Sequence, residues 1–275
     1  MERKNADYRK RLERQLAVDY CCTEEEMKGC RNQFHIYRPL EGRRRFRTDE
    51  DCFLKVVSYR NRLLFAGHEE ILDWCRERFA ETVGAWFMEP ETMRLLDRKL
   101  GEYGYEIGFM HPFYVSFEEA GFDEFTDQAV RAELKTGFDG KSIIQAGEYE
   151  LRIWRAGEIE HFRGDARFSN AYSFCETAPD MIGISASLNG EIVAMAGVSA
   201  DSPELWQIGI DVLPAFRGRG LGVLLVKLLK NETLRAGRIP FYGTAFSHML
   251  SQDIAIRSGF RAGWAELTAR KAEMK

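Results

Sequence analysis

No apolar run in this 275-residue chain approaches the roughly 18 residues that a membrane-spanning helix needs. The start, Met1-Glu2-Arg3-Lys4-Asn5, has no apolar stretch behind it, so a secretory signal is not expected. Nor is there a large charge of one sign. The net charge of −4 gives no global pull towards nucleic acid or an anionic membrane, and neither is expected as a partner. None of the six cysteines (Cys21, Cys22, Cys30, Cys52, Cys75 and Cys175) stands in C-x-x-C spacing. Cys22, Cys30 and His35 fit no standard zinc pattern, so no metal is expected. Without an export signal the thiols are expected to stay reduced and to pack as small apolar groups, in a soluble protein of the cytoplasm.

The chain is long enough for two domains. A helix is predicted over about Ala6 to Val18, mostly solvated, with Leu12, Leu16 and Val18 as its apolar side. Glu41-Gly42-Arg43-Arg44-Arg45-Phe46-Arg47 is the one basic cluster, and Thr48-Asp49-Glu50-Asp51 cancels it at once. It reads as a solvated loop rather than a nucleic-acid patch. Strands follow near Cys52 to Ser58 and Arg62 to Ala66. A helix runs from His68 through Phe79, and another opens at Glu89-Pro90-Glu91, with proline early and acids in the first turn. Gly104 ends it, and Tyr105 to Val115 reads as strand. Residues 1–120 thus form an α/β domain. Phe122 to Thr136 is helical or irregular, and residues 121–148 are read as a linker.

The second domain, 149–275, opens with a strand from Tyr149 to Trp154 and helical material from Ala156 to Asn170. Strands over Met181 to Leu188 and Glu191 to Ser199 are joined by Asn189-Gly190, the strongest short hairpin signal. Leu205 to Val212 is a further strand, with Trp206, Ile208, Ile210 and Val212 at period two. After it comes Arg217-Gly218-Arg219-Gly220-Leu221-Gly222, and then a helix carried by Leu221, Leu224, Leu225, Leu228 and Leu229, closed by Gly237. A glycine turn feeding a helix N-terminus is an anion site: first-turn N–H groups point outward, and the helix dipole favours negative charge. It is not a P-loop, because Val223 stands where Lys-Ser/Thr would follow. Nor is it the dinucleotide fingerprint. Its glycines are spaced two and two, and the next strand, Ile239 to Phe246, carries no acid for ribose hydroxyls.

Arg217-x-x-Gly220-x-Gly222, preceded by Val212-Leu213-Pro214, resembles the acetyl-CoA pyrophosphate loop of the GNAT N-acetyltransferase superfamily. The segment Ser247-His248-Met249-Leu250-Ser251-Gln252-Asp253-Ile254-Ala255-Ile256-Arg257-Ser258-Gly259-Phe260 resembles that family's short helix ending in Gly-Phe, with His248 at the usual asparagine. A last strand, about Ala262 to Arg270, completes the order. The resemblance implies an α/β (α+β) fold with a mixed, mainly antiparallel sheet over residues 149–275. Residues 1–120 resemble the degenerate GNAT-like half of tandem bacterial acetyltransferases, such as the zwittermicin-resistance type.

The resemblance further implies transfer of an acetyl group from acetyl-CoA, by direct attack, to a primary amine of a small molecule, in a monomer or homodimer. A non-catalytic acetyl-CoA-binding regulatory module is the alternative. Backbone N–H groups of Arg217, Gly218, Arg219, Gly220, Leu221 and Gly222 would hold pyrophosphate. Ile210 and Val212 would pair with the pantetheine arm, and His248 and Ser251 would contact the cofactor. Gln207 stands where the family often has a glutamate base, and Ala255 where it often has a tyrosine acid. Asp211, on the face of Gln207, or Glu204 is then the candidate base, although Asp211 could equally cap a loop. Ser251, His248 or Tyr242 could serve as the acid, unless the thiolate leaves unaided. Cys175 is read as filling space.

Overall fold

The computed structural model describes residues 2–119 and 143–273. The predicted helical segment from Phe122 to Thr136 lies outside them. In chain order the elements begin with helix α1 (Glu2–Asp19), strands β1 (Gln33–Ile36), β2 (Leu54–Tyr59) and β3 (Arg62–Gly67), helices α2 (Glu69–Phe79) and α3 (Pro90–Gly101), and strand β4 (Tyr105–Val115). Next come β5 (Ile144–Ala146), β6 (Tyr149–Arg155), the short helix α4 (Ala156–Ile159), β7 (Asp180–Leu188), β8 (Glu191–Ser199) and β9 (Leu205–Val212). The chain closes with α5 (Leu221–Arg235), β10 (Ile239–Gly243), α6 (Met249–Arg257) and β11 (Arg261–Lys271). The class is the expected mixed α/β.

The chain forms two compact units, and they are not contiguous segments. One comprises Arg9–Tyr114, Gly243–His248 and Ala262–Lys275, with strand order β1-β3-β2-β11-β4. Strands β2 and β3 read as near-continuous apolar runs and are buried almost throughout, the pattern of strands covered on both faces. They meet in a two-residue turn at Arg60-Asn61, where φ is 49° and 65°. Their core is shared with α2 and α3 through Phe65, Cys75, Phe79, Phe87 and Leu96. The last strand, expected to complete the sheet of the second domain, instead pairs antiparallel with β2, Leu267 opposite Val56. Its Leu267 and Ala269 enter this same core. Strand β1 was not expected; it pairs parallel with β3.

The basic cluster in this unit is not simply a solvated loop. Arg43 is buried and Arg44 half-buried, while Arg47 stays exposed and pairs with Asp49 at 2.9 Å. Arg44 donates to Asp19 at 2.5 Å and also pairs with Glu266; Arg43 pairs with Glu50. The guanidinium of Arg44 also lies 5.4 Å from the ring centroid of Trp264, whose Nε1 donates to Glu266 at 2.8 Å. Burial alone would raise the Asp19 carboxyl, but Arg44 and Lys55 outweigh it and hold the group below its ordinary value.

The other unit comprises Met1–Tyr8, Val115–Tyr242 and Met249–Arg261, with strand order β10-β9-β8-β7-β6-β5. Asn189-Gly190 makes the expected β7–β8 hairpin, with φ of 52° and 81°. Strand β5, inside the predicted linker, pairs with β6. Residues 156–170 do not form one helix. Only α4 and two short 3-10 turns, Glu160–Phe162 and Ala166–Phe168, are helical. Gly164 turns to a φ of 86° between them, and Asp165 accepts from the N–H of Arg167. Phe162, Phe168 and Tyr172 then pack with Met195 as a cluster on one face of the sheet.

A row of glycines lets this segment lie directly on the strands. Gly183, Gly197 and Gly209 stand side by side on β7, β8 and β9. A Cβ at Gly209 would overlap the carbonyl oxygen of Asn170, one at Gly197 that of Ala171, and one at Gly183 the hydroxyl of Tyr172. Asp211, next on the same face of β9, pins the segment: its oxygens accept from Asn170 N at 2.8 Å, Asn170 Nδ2 at 2.6 Å and Ala171 N at 2.9 Å. On the opposite face, α5 buries Leu225, Leu228 and Leu229. Each such leucine contributes at most about 1.5–3 kcal/mol of transfer free energy.

Gly197→Ala is expected to lower stability by about 1–3 kcal/mol, because a methyl group is forced into a fixed backbone. The control Gly157→Ala, where nothing lies within 4 Å of the new Cβ, should change little. Urea midpoints at constant m-value would measure both. Arg44→Met should cost about 3–5 kcal/mol by leaving Asp19 and Glu266 buried without their cation. Because the folded pKa of Asp19 is depressed, its contribution is present above the unfolded value of about 3.9 and is lost as pH falls through the folded value. Urea titrations from pH 7 to pH 3 should show that loss in the wild type and a smaller one in Arg44→Met.

Candidate functional site

Strands β9 and β10 run parallel but pair only from Ile239 opposite Leu205 to Phe241 opposite Gln207. Beyond Gln207, β9 continues through Ile208–Val212 with no register to β10, so the strands part into a notch. On its other side β9 stays paired with β8 up to Val212 opposite Ala194. The notch opens at the C-terminal ends of two parallel strands, where crevices form in open α/β sheets.

The backbone polarity of the notch wall follows from one hydrogen bond. The N–H of Leu213 donates to the opposite carbonyl of Val193 at 2.9 Å. In an antiparallel pair the side of the backbone groups alternates. The odd-numbered residues of β9 therefore turn their N–H and C=O towards β8, and Ile208, Ile210 and Val212 turn theirs towards the notch. Ile210 and Val212, the residues expected to pair with a pantetheine arm, are thus among those whose backbone groups face the notch.

Immediately after β9, Pro214–Phe216 forms a 3-10 turn, and Gly218 and Gly220 take φ of 77° and 81°. Those left-handed values aim the chain into α5, whose N-cap is Gly220 and has no side-chain cap. The helix ladder begins with the N–H of Leu224 on the Gly220 carbonyl, at 3.0 Å. The N–H groups of Leu221, Gly222 and Val223, in the first turn of α5, precede it, and the exposed residues 217–220 lead into that turn beside the notch. Gly222 lies deeper: a Cβ there would be 3.0 Å from Ile254 of α6 and 3.7 Å from Val212 of β9. This glycine brings α5, α6 and the notch wall together.

The two arginines of the loop fold back on the protein. Arg217 Nε donates to the Val212 carbonyl at 3.1 Å. Arg219 donates to the Tyr149 hydroxyl and the Ala215 carbonyl, both at 3.3 Å, and pairs with Glu148 at 3.6 Å. The Arg219–Glu148 pair is largely exposed, so it holds the side chain only weakly.

Of the candidate acids and bases, Asp211, Ser251 and Tyr242 reach the notch region. Asp211 spends its carboxylate on Asn170 and Ala171, so it caps the segment laid over the glycines. Glu204 lies elsewhere. It precedes β9 at the paired end, where its carbonyl accepts from Ile239 N at 2.9 Å. Gln207 sits at the vertex, in the last register pair with β10. His248 belongs to the Gly243–His248 segment of the other unit, and its N–H donates to the Ala245 carbonyl at 3.1 Å. Ala255 is buried and leaves no phenol on that turn of α6.

A phenol comes instead from β10. Tyr242 is buried, and its hydroxyl lies 2.9 Å from Ser251 Oγ of α6. Burial raises its pKa; the Ser251 hydrogen bond opposes this, and the charge of Asp211 across the notch adds to it. The sequence signal for Tyr242 was weak, one of several hydroxyl or imidazole groups in the right stretch. The glycine row and Asn170 were not anticipated. Their signal was present, as a lone glycine inside each of three successive apolar strands marks close backbone approach. Among the described residues, no group of three or more His, Cys, Asp or Glu is placed to hold a metal ion.

The chain shares 15% identity with a GCN5-related N-acetyltransferase-like protein from Streptococcus suis, covering 96% of this chain and 99% of that one, with a TM-score of 0.44. A GCN5-related N-acetyltransferase from Kribbella flavida is 14% identical over 64% of this chain and 63% of its own, with a TM-score of 0.41. Aminoglycoside N-acetyltransferase AAC(6')-Iy, solved in complex with CoA, is 20% identical over 44% of this chain and 93% of its own, with a TM-score of 0.34. No curated protein matches the chain. Residues 148–245 match the acetyltransferase (GNAT) family, and β9, the glycine loop, α5 and β10 all fall within that match.

Proposed function

We propose that the chain is an acetyl-CoA-dependent N-acetyltransferase that acts by direct attack of a small-molecule primary amine. One observation carries the reading: the β9–β10 notch opens beside the uncapped N-terminus of α5, inside the stretch that matches the family. Acetyl-CoA, when bound, supplies the thioester. The first-turn N–H groups of α5 and the Gly218–Gly220 backbone would hold its pyrophosphate. The notch-facing groups of Ile208, Ile210 and Val212 would receive its pantetheine amides as an added strand does.

The acid–base roles differ from those expected. Gln207 takes no proton, and Asp211 is committed to three N–H donors. Asp211 positions the Asn170–Ala171 wall, and the acceptor amine reacts as the free base that it forms with water. As the amine nitrogen bonds to the carbonyl carbon and the C–S bond breaks, Tyr242, kept protonated by burial and oriented by Ser251, gives its proton to the departing thiolate, and the tyrosinate recovers the proton that the new amide nitrogen sheds. Among the described residues no committed base stands in the notch, which favours one second reading, a regulatory module that binds acetyl-CoA without turnover.

Titration calorimetry of acetyl-CoA and NAD into wild type, Arg217→Ala and Gly220→Trp tests the cofactor site. Acetyl-CoA should bind wild type and lose at least about tenfold in affinity in Gly220→Trp, a change of about 1.4 kcal/mol. NAD should not bind, and binding of neither compound would overturn the reading. Tyr242→Phe should lower kcat by about 10²-fold or more at unchanged acetyl-CoA affinity. The rate at fixed total amine should rise with pH towards the acceptor's own pKa, about 10.4 for a lysine-like amine. Tight acetyl-CoA binding with no turnover on a broad amine panel would select the regulatory reading.

A further inference from the structure

The unit that carries the notch also holds a pocket of about 250 Å³, lined by Lys230 and Arg261, by Glu118 and Glu119, and by Ile256 and Phe260. It lies at the C-terminal end of α6. The ring centroid of Phe260, in the pocket lining, is 6.1 Å from that of Tyr242. The pocket takes no part in the acetyl-transfer reading above.

Lys230 is the unusual member. It is 1% exposed, yet among the described residues no carboxylate pairs with its ammonium. Its Nζ donates to Ser116 Oγ at 3.3 Å and lies 5.7 Å from the ring centroid of Phe260. An ammonium carries three N–H donors, and one neutral hydroxyl satisfies one of them. A buried charge so weakly answered calls for an anion. Arg261 is exposed and likewise has no acidic partner among the described residues. The acids are better served: Glu118 accepts from Asn5 at 2.5 Å, and Glu119 from Arg235 at 3.1 Å. A carboxylate has about four acceptor sites, so both acids keep capacity for a second donor. The lining therefore offers two cations, two anions and an apolar wall, in a volume suited to a small molecule.

We propose that this pocket binds a small zwitterion of the α-amino-acid class. Its carboxylate meets Lys230 and Arg261, its ammonium meets Glu118 and Glu119, and its aliphatic part lies on Ile256 and Phe260. Burial, with Lys227 one turn away on the same helix, pushes the Lys230 ammonium down to about 8, and Glu118 and Glu119 oppose that shift. Affinity should therefore fall as pH rises through that region, where the cation that holds the carboxylate is lost.

The test is a thermal-shift screen of the common amino acids against the full chain, without acetyl-CoA. Calorimetry of the best ligand follows, with its des-amino and des-carboxy analogues. At least one amino acid should bind, with both analogues at least about tenfold weaker. Lys230→Met should weaken binding by at least the same factor. Ile256→Trp does so by filling the pocket from an exposed position, where the fold is not at stake. Circular dichroism checks the fold of both variants. No binding at about 10 mM of any amino acid overturns the proposal. So does equal binding of the des-amino analogue, or wild-type affinity in Ile256→Trp. Acetyl-CoA titrated into the same variants reports separately on the notch.

Discussion

The contact on which the candidate site depends is a main chain lying flat on a sheet. Gly183, Gly197 and Gly209 remove every side chain from one line across β7, β8 and β9, and Asn170–Tyr172 fills that line. A segment so close to a sheet must find partners for its backbone groups, since buried N–H and C=O groups left alone are costly. Asp211 supplies acceptors for two of its N–H groups. The aromatic cluster of Phe162, Phe168 and Tyr172 then closes over the same face. That face is therefore built from backbone and a single carboxylate, whose oxygens are engaged by three N–H donors of Asn170 and Ala171.

Much of this was legible in the chain itself. Strand β9 has the predicted limits, the Asn189-Gly190 hairpin forms, and the glycine loop enters α5 as its punctuation demands. These features are local: period-two apolar residues, turn residues that need positive φ, and a leucine stripe. Non-local features were not legible in the same way. Whether Asp211 takes a proton or caps a loop depends on Asn170, far away in sequence, and both outcomes suit the same spacing. Arg43 and Arg44 read as solvated because charge runs usually are; Asp19, Glu50 and Glu266 draw them inside, and nothing near them in the chain announces those partners. The helical material expected from 156 to 170 is present in three short pieces, interrupted at Gly164 by a left-handed turn.

The chemistry of the notch shows a similar exchange of parts. The α6 position where a phenol was sought is Ala255, and β10 supplies one instead. Tyr242 and Ser251 come from different elements but meet at hydrogen-bond distance, while Gly222 lets α5 and α6 close behind them. The close fit of helix, strand and loop, rather than any one side chain, sets where that phenol stands.

The route of the last strand has a consequence in time. Strand β11 lies beside β2, with Ala265 opposite Ser58, and carries Glu266 to Arg44. During synthesis at about 5–20 residues per second, strands β1 to β4 must wait for β11 before their sheet and their buried charges are complete. Until β11 arrives, β2 presents an open apolar edge, the kind of surface that pairs with strangers. Strands β5 to β10 are all made before β11 emerges. The strands made first are the last to have all their partners.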